Sequence, residues 1–357
     1  MITEKRHYYW LDLIRFISAV LVVMVHVRCE FFMTYSKLNV DSQNYFTQVF
    51  YFLNSFGSQA VLIFFILSGF LVGGLNIEKA LQCKFYIKDF IIDRSVRILL
   101  PLLGSLIIVF IIDLISNEYH SIGELFGNLL GLQGVIVNDA GGVFWTLSYE
   151  IWFYVLIGCI LYLLTHKSFN LTGIALLLCS FIVFAQLNTY LLFFLIFGIL
   201  TFFLSKLKIQ KKIIIVCVVL SIIVGLLINF CGRTNVKNRF TFDLISSESL
   251  WLIFGVLISI LISQLVNIKP HGILTKINEY GTKMSVFSYS LYITHYQCCR
   301  IMHMIGVPQV NYVNATSILY FFIEVIVCII FAYLFYLLTE KHTSKLKKFI
   351  KSKIANE

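Results

Sequence analysis

Arg15 and His26 are the residues whose types and spacing point most directly to chemistry. Both lie in one apolar run, Leu11–His26, that reads as a helix. Eleven positions separate them, close to three turns at 3.6 residues per turn, so they share a stripe roughly 16 Å long at 1.5 Å per residue. Ionisable groups in a membrane-crossing helix are costly, and those that persist usually face a cavity and mark function. Asp12 precedes Arg15 by three positions, where it can pair with a guanidinium that cannot shed its proton. The run therefore reads as a polar track, a fixed cation at one end and an imidazole at the other. Such a track suits chemistry, or passage, across a bilayer. The plain alternative is an arginine snorkelling to one interface and a histidine at the other.

The elements that must position these groups are membrane spans. The chain of 357 residues is 59% hydrophobic and 13% charged, with a mean hydropathy of +0.88. A soluble domain needs no such apolar excess, whereas a polytopic membrane protein needs repeated runs of about 20 apolar residues. Apolar runs predict ten transmembrane helices, near 10–27, 60–76, 98–116, 145–164, 171–187, 190–205, 213–230, 250–266, 287–305 and 317–339. The fold class is thus an all-α polytopic membrane protein, a single domain over 1–357 with a basic tail from about 340 and no appended soluble domain. Residues 125–136, broken by Gly127, Gly131 and Gly134, read as an interfacial or re-entrant segment. The nine cysteines include no Cys-x-x-Cys pair, so neither a metal site nor a disulfide framework is indicated, although Cys29 and Cys231 face the same predicted side.

Charge sets the predicted orientation. With both termini cytoplasmic, 21 of the 28 lysines and arginines fall inside, among them Lys5, Arg6, Arg94, Arg97, Lys167 and six lysines from Lys341 to Lys353. This follows the positive-inside rule and accounts for the net charge of +10 without nucleic acid. The loop holding Arg233, Lys237 and Arg239 is the discordant one. In this frame Arg15 lies toward the cytoplasm and His26 toward the outside. Arg94 and Arg97 sit at the cytoplasmic mouth of the third span, and Glu150 is expected level with His26. His295 falls near mid-membrane, with Arg300 and His303 higher.

Four blocks in order carry a resemblance to a known family. These are Leu11–His26, with an Arg–ten residues–His motif in Arg15 and His26; Phe64–Leu71, containing Ser68; Trp145–Tyr154, containing Tyr149 and Glu150; and Ser288–His295. Together they resemble the integral-membrane acyltransferase 3 family, whose members acylate carbohydrates at the bacterial inner membrane. Two positions depart from its pattern. Asp93 stands where the first arginine of the basic motif is usual, with Pro101 four residues after Arg97, and Ile151 replaces a second acidic residue after Glu150.

The resemblance implies an O-acetyltransferase of the O-antigen or exopolysaccharide type. Its donor would be acetyl-CoA and its acceptor a hydroxyl of a surface or lipid-linked polysaccharide, with no metal. It implies His26 as general base, with Arg15 and Glu150 in the catalytic set; Glu150 would orient His26 or bind the sugar. Arg94, Arg97 and Arg15 would hold the donor, whose phosphates call for charge-assisted hydrogen bonds. Trp145, Tyr149 and His295 would meet the acceptor, His295 alternatively serving as a relay, and Asp12 and Ser68 would support the site. Two alternatives stand: a polysaccharide flippase, polymerase or transporter, and an acyltransferase using another donor such as succinyl-CoA. Outside this set, Arg300 and Glu324 read as an internal ion pair, and Gly69 with Gly73 as a helix-packing motif. Aromatic residues of the 28–59 loop, Phe31, Phe32, Tyr35, Tyr45, Phe46 and Tyr51, could stack on sugar rings, and an interfacial belt is the safer reading.

Overall fold

A computed structural model describes residues 8–166, 171–233 and 247–355, without the side chains of residues 231–233, 247 and 355. Lys5, Arg6, Lys167, Lys237 and Arg239 lie outside the described residues, as do the side chains of Cys231 and Arg233. In chain order the helices are α1 (Tyr9–Phe31), α2 (Tyr45–Leu53), α3 (Gly57–Ser68), α4 (Leu75–Leu81) and α5 (Ile87–Ser116). There follow α6 (Ile122–Leu129), α7 (Trp145–His166), α8 (Leu171–Gln186), α9 (Leu192–Leu204) and α10 (Lys211–Arg233). The last five are α11 (Ser247–Leu265), α12 (Ile273–Ser285), α13 (Ser288–Met304), α14 (Ala315–Leu338) and α15 (Thr343–Ala355). A π-helical segment, Gly69–Gly74, joins α3 to α4.

All ten predicted apolar segments are helical. Seven helical stretches are long and apolar enough to cross a membrane, or eight if the broken pair made by α8 and Thr189–Leu204 counts as one span. The chain is a multi-pass membrane protein. The predicted ninth segment, 287–305, is not among these stretches, because α13 is a 17-residue helix rich in polar groups. Ser290, Thr294, His295 and Gln297 on it are wholly buried, so its surroundings are protein and it needs no lipid-compatible surface. The third segment was predicted to begin near 98, but α5 starts at Ile87. Hydropathy sees only the apolar part of a helix whose first turns carry Asp89, Asp93, Arg94 and Arg97. Residues 125–136 comprise the end of α6 and two tight turns at Gly131 (φ +70°) and Gly134 (φ +76°). The 28–59 stretch, expected as a loop, contains α2, whose first turn is capped by Asn44 accepting the Thr47 amide at 3.0 Å.

The chain divides into two compact units. One comprises the described residues of Met1–Leu21, Ser55–Leu75 and Tyr190–Ser288. Within it α3 and the π segment pack on α9 at backbone distance. A Cβ on Gly69 would stand 2.0 Å from the Leu195 carbonyl oxygen, and one on Gly198 would stand 2.1 Å from that of Ile66. Only glycine permits this crossing, and small residues at such crossings are how helices associate in lipid. Gly69 is thus a packing glycine, as expected, and its partner is Gly198. A buried hydrogen bond, Gln59 Nε2 to Asn229 Oδ1 at 2.7 Å, ties α3 to α10. Cys217, Val224, Ile228, Phe254 and Leu257 form the α10–α11 seam.

The second unit comprises Val22–Asn54, Asn76–Thr189 and Tyr289–Glu357. Here α13 is clamped by polar contacts. Ser105 donates to the Ile293 carbonyl at 2.8 Å and Tyr289 to that of Ile98 at 3.3 Å. Glu340 accepts from the Ser290 amide and hydroxyl at the start of α13, satisfying donors that a helix N-terminus leaves open. Near the other end, Arg300 pairs with Asp113 at 2.9 Å and Glu118 at 2.8 Å. The predicted Arg300–Glu324 ion pair is therefore not what forms. Two carboxylates on α5 and the turn after it claim the guanidinium, and Glu324 makes no ion pair or hydrogen bond among the described residues.

Candidate active site

α1 is continuous through both predicted motif positions. In the first unit, Arg15 Nη1 lies 3.5 Å from Asp12 Oδ1, the pairing their i,i+3 spacing implies. Ser68 is the last residue of α3, bordering the π segment. The remaining predicted site residues belong to the second unit.

There, His26 meets His295. The Nε2 of His295 is 3.0 Å from the Nδ1 of His26, with ring centroids 4.9 Å apart. The backbone carbonyls one turn earlier assign the tautomers. His295 Nδ1 lies 3.0 Å from the Leu291 carbonyl and His26 Nδ1 lies 3.1 Å from that of Val22. A carbonyl only accepts, so each Nδ1 carries the hydrogen, an assignment made from the hydrogen-bond network. The single hydrogen of His26 Nδ1 is then shared between the Val22 carbonyl and the lone pair of His295 Nε2. The lone pair of His26 Nε2 is left without a partner among the described residues, on a half-buried ring. His295 itself is wholly buried. The arrangement is an imidazole with one open ring nitrogen, backed by a second, buried imidazole.

The walls around the pair come from α13 and the turn before α7. Tyr296 lies edge-on to His26, centroids 6.2 Å apart. Its ring fills the space where a Cβ on Gly142 would stand, 2.5 Å away. Tyr292 bonds Thr146 at 2.7 Å and the Val143 carbonyl at 3.0 Å. The turn is held by the Asp139 carboxylate, which accepts the amides of Gly141 (3.0 Å), Phe144 (3.2 Å) and Trp145 (3.0 Å). Burial pushes the Asp139 carboxyl pKa up, and these amides pull it down.

The other predicted residues of this unit make contacts of their own. Glu150 accepts a short hydrogen bond from the Tyr154 hydroxyl, one turn along α7. Tyr154 lies under the Arg94 guanidinium, 5.8 Å from ring centroid, and within electrostatic reach of Arg97. Through Tyr154 Glu150 reaches the arginines; it also lies within electrostatic reach of Tyr292, and His295 is the residue in hydrogen-bond contact with His26. Tyr149, expected at the acceptor, is buried, and its hydroxyl accepts the Asn188 amide at 2.8 Å. Trp145 opens α7, packed edge-on to Tyr149 at 6.2 Å.

Arg94 lines an apolar cleft of about 390 Å³ between α5, α7 and α8. Its buried Nε has no hydrogen-bond partner among the described residues. Asp93, where the family pattern has arginine, faces two lysines of α15: Lys347 at 3.9 Å and Lys351 at 3.4 Å. Lys351 also bonds Asp89 at 2.7 Å. α15 thereby brings cations to the arginine face of α5, and Lys347 lies within electrostatic reach of Arg94 and Arg97.

Sequence reasoning missed Asp113 and Tyr296, and gave no role to Tyr292 although it lies in the Ser288–His295 block. Asp113 was findable, being an acid inside a predicted span, whereas Tyr296 was unremarkable in a chain with 19 tyrosines.

A family model described as an acyltransferase domain matches residues 8–337, from the first described residue to the end of α14. No curated protein and no solved structure matches the chain. The match takes in both motif halves of α1, the arginine face of α5, the Glu150 turn of α7 and the His295 turn of α13; the chain belongs to the acyltransferase 3 family and is a membrane acyltransferase.

Proposed function

We propose that the protein moves an acetyl group from acetyl-CoA to a hydroxyl of a surface or lipid-linked polysaccharide, in a bacterial cytoplasmic membrane. The observation that carries this is the His26–His295 pair, with one ring nitrogen of His26 left open as a base. In this reading the acceptor hydroxyl gives its proton to His26 Nε2 while its oxygen attacks the thioester carbonyl. The new C–O bond replaces the C–S bond, and the departing thiolate takes the proton back from the imidazolium. His295 steadies that imidazolium by accepting from its Nδ1–H, as the orienting partner of a catalytic histidine does elsewhere. No free charge need form on the buried ring in the resting state.

The donor fits the residues present. The unpartnered Nε of Arg94, with Arg97 and Lys347 beside it, suits phosphate groups. The donor supplies the activated acyl group. Arg15 and Glu150 remain members of the proposed catalytic set, Glu150 acting from the arginine side. The lysine distribution supports an orientation with both termini inside, placing the arginines at the cytoplasm and His26 toward the outer face.

NMR of the host's surface polysaccharide, with wild type and His26→Ala, tests the proposal. Loss of O-acetyl signals at unchanged chain length supports it. Shortened chains that keep their acetyl groups would point to a polymerase instead.

A further inference from the structure

Away from the histidine pair, the second unit holds a cavity of about 590 Å³ between the ends of α1 and α13 and the face of α14. Phe31, Phe32, Tyr312 and Tyr320 are among its walls, and Glu324 projects into it. Glu324 is 8% exposed, and its Oε2 has no hydrogen-bond partner. A carboxyl removed from water without a donor is expensive, so such a group in a native fold calls for a ligand that brings one. The volume lies in the range of small-molecule pockets.

We infer that this cavity binds a sugar residue of the acceptor adjoining the one acylated, with Glu324 accepting its hydroxyls. The inference rests on the carbohydrate acceptor proposed above. Three observations select a sugar. No lysine, arginine or histidine lines the cavity, which disfavours a phosphate or carboxylate ligand. Its lining includes four aromatic rings, Phe31, Phe32, Tyr312 and Tyr320, and aromatic rings are a surface on which the C–H face of a pyranose packs. A lipid acyl chain would fill the apolar walls yet leave Glu324 without a donor.

The cavity also lies one short stretch of α1 away from the proposed catalytic site. Phe31, on its wall, lies five residues beyond His26, about 7.5 Å along α1. Phe31 stacks on His303 at 4.6 Å, His303 Nε2 is 3.3 Å from Glu30, and Glu30 lies within electrostatic reach of the Tyr296 that borders His26. Adjacent residues of one glycan chain can span that interval.

Dicyclohexylcarbodiimide, an apolar reagent for buried carboxyls, provides the test on the full chain, read by peptide mass spectrometry at Glu324. Oligosaccharides cut from the host's own surface polysaccharide should slow the labelling. Moving the protein from detergent into phosphatidylethanolamine–phosphatidylglycerol nanodiscs should not. Protection by the nanodisc lipid and none by the oligosaccharide would make this a lipid site and overturn the inference. In transfer assays, Glu324→Leu should raise KM for oligosaccharide acceptors about tenfold, leaving kcat and the KM for single sugars within twofold. Glu324→Gln should fall between. An unchanged oligosaccharide KM in both variants would also overturn it. If wild type acylates no sugar while oligosaccharide still protects Glu324, the acyl-acceptor reading fails and the cavity assignment stands.

Discussion

His295 Nε2 and His26 Nδ1 face each other at 3.0 Å, and each ring is fixed in tautomer by the carbonyl one turn behind it. Two imidazoles in series differ from the histidine–carboxylate pairing common in acyl-transfer sites. In the proposed reading the partner is a buried imidazole, which orients His26 without the permanent anion whose burial would be costly.

The first prediction concerns this pair. His26→Ala should lower kcat by about 10² to 10⁴, the usual contribution of a general base. His295→Gln keeps a side-chain oxygen that can accept from His26 Nδ1–H, and should retain more activity than His295→Phe, which cannot. Equal kcat in the two His295 variants would show that the contact plays no part in turnover. Radiolabelled acetyl transfer in membranes reads the difference.

The architecture was largely legible in the sequence because lipid imposes a strong rule: each apolar run must be a helix. All ten runs are helical. The interactions between runs were less legible. Arg300 and Glu324 looked like partners because they occupy similar heights, but height does not fix which face of a helix a side chain leaves from. Asp113 and Glu118 lie on the right side and hold the arginine. Nor did spacing reveal that Glu150 accepts from the Tyr154 hydroxyl one turn along its own helix. His26 and His295 were both named from sequence, but their contact joins residues 269 apart, which spacing cannot reveal.

Gly142 offers a second test. It sits at φ +70°, and a Cβ there would lie 2.5 Å from the Tyr296 ring. Gly142→Ala should cost about 1–2 kcal/mol from the left-handed backbone alone. It should also displace Tyr296 from His26 and lower kcat. Unfolding in detergent gives the first effect and turnover of the folded fraction the second. Full turnover in that fraction would remove Tyr296 from the list of groups shaping the site.

The crossing of α3 with α9 gives a third. Gly198→Ala must push a methyl to within 2.1 Å of the Ile66 carbonyl oxygen, with Gly69 Cα 2.7 Å away, so the helices must separate. The expected loss is about 1–3 kcal/mol, the usual range for overpacking. Gly173→Ala on α8 is the control, since nothing lies within 4 Å of its added Cβ. It should be neutral or stabilising by roughly 0.5–1 kcal/mol through helix propensity. Thermal unfolding of the two variants should differ in sign or nearly so.

At the turn after α5, Ser121 and Asn138 hold the Glu124 carboxyl below the usual carboxylate range, the Ser121 backbone amide contributing most. A depressed carboxyl stabilises above its unfolded value, and that contribution is lost as the pH falls through the lowered folded value. Amide exchange at Ser121, corrected for intrinsic rates, should therefore accelerate on acidification below about pH 4 in wild type. In Glu124→Gln this extra acceleration should vanish. If both proteins show the same acid dependence, the capping carboxylate is not its source.

The last prediction concerns the replacement of an arginine by Asp93. An acid beside a phosphate-binding surface should repel the donor, yet Lys347 and Lys351 stand at 3.9 and 3.4 Å from it and neutralise it. If α15 restores the positive face that Asp93 removes, then Lys347→Ala with Lys351→Ala should raise the apparent acetyl-CoA KM severalfold. Adding Asp93→Asn to that pair should recover much of the loss, because the uncompensated anion is gone. Each exposed ion pair is worth little to stability, about 0–1 kcal/mol, so the folded yield should hardly change. Arg94→Ala and Arg97→Ala should raise the same KM further, with kcat less affected. A donor KM that ignores both the lysines and Asp93→Asn would mean that α15 packs against α5 for structure alone.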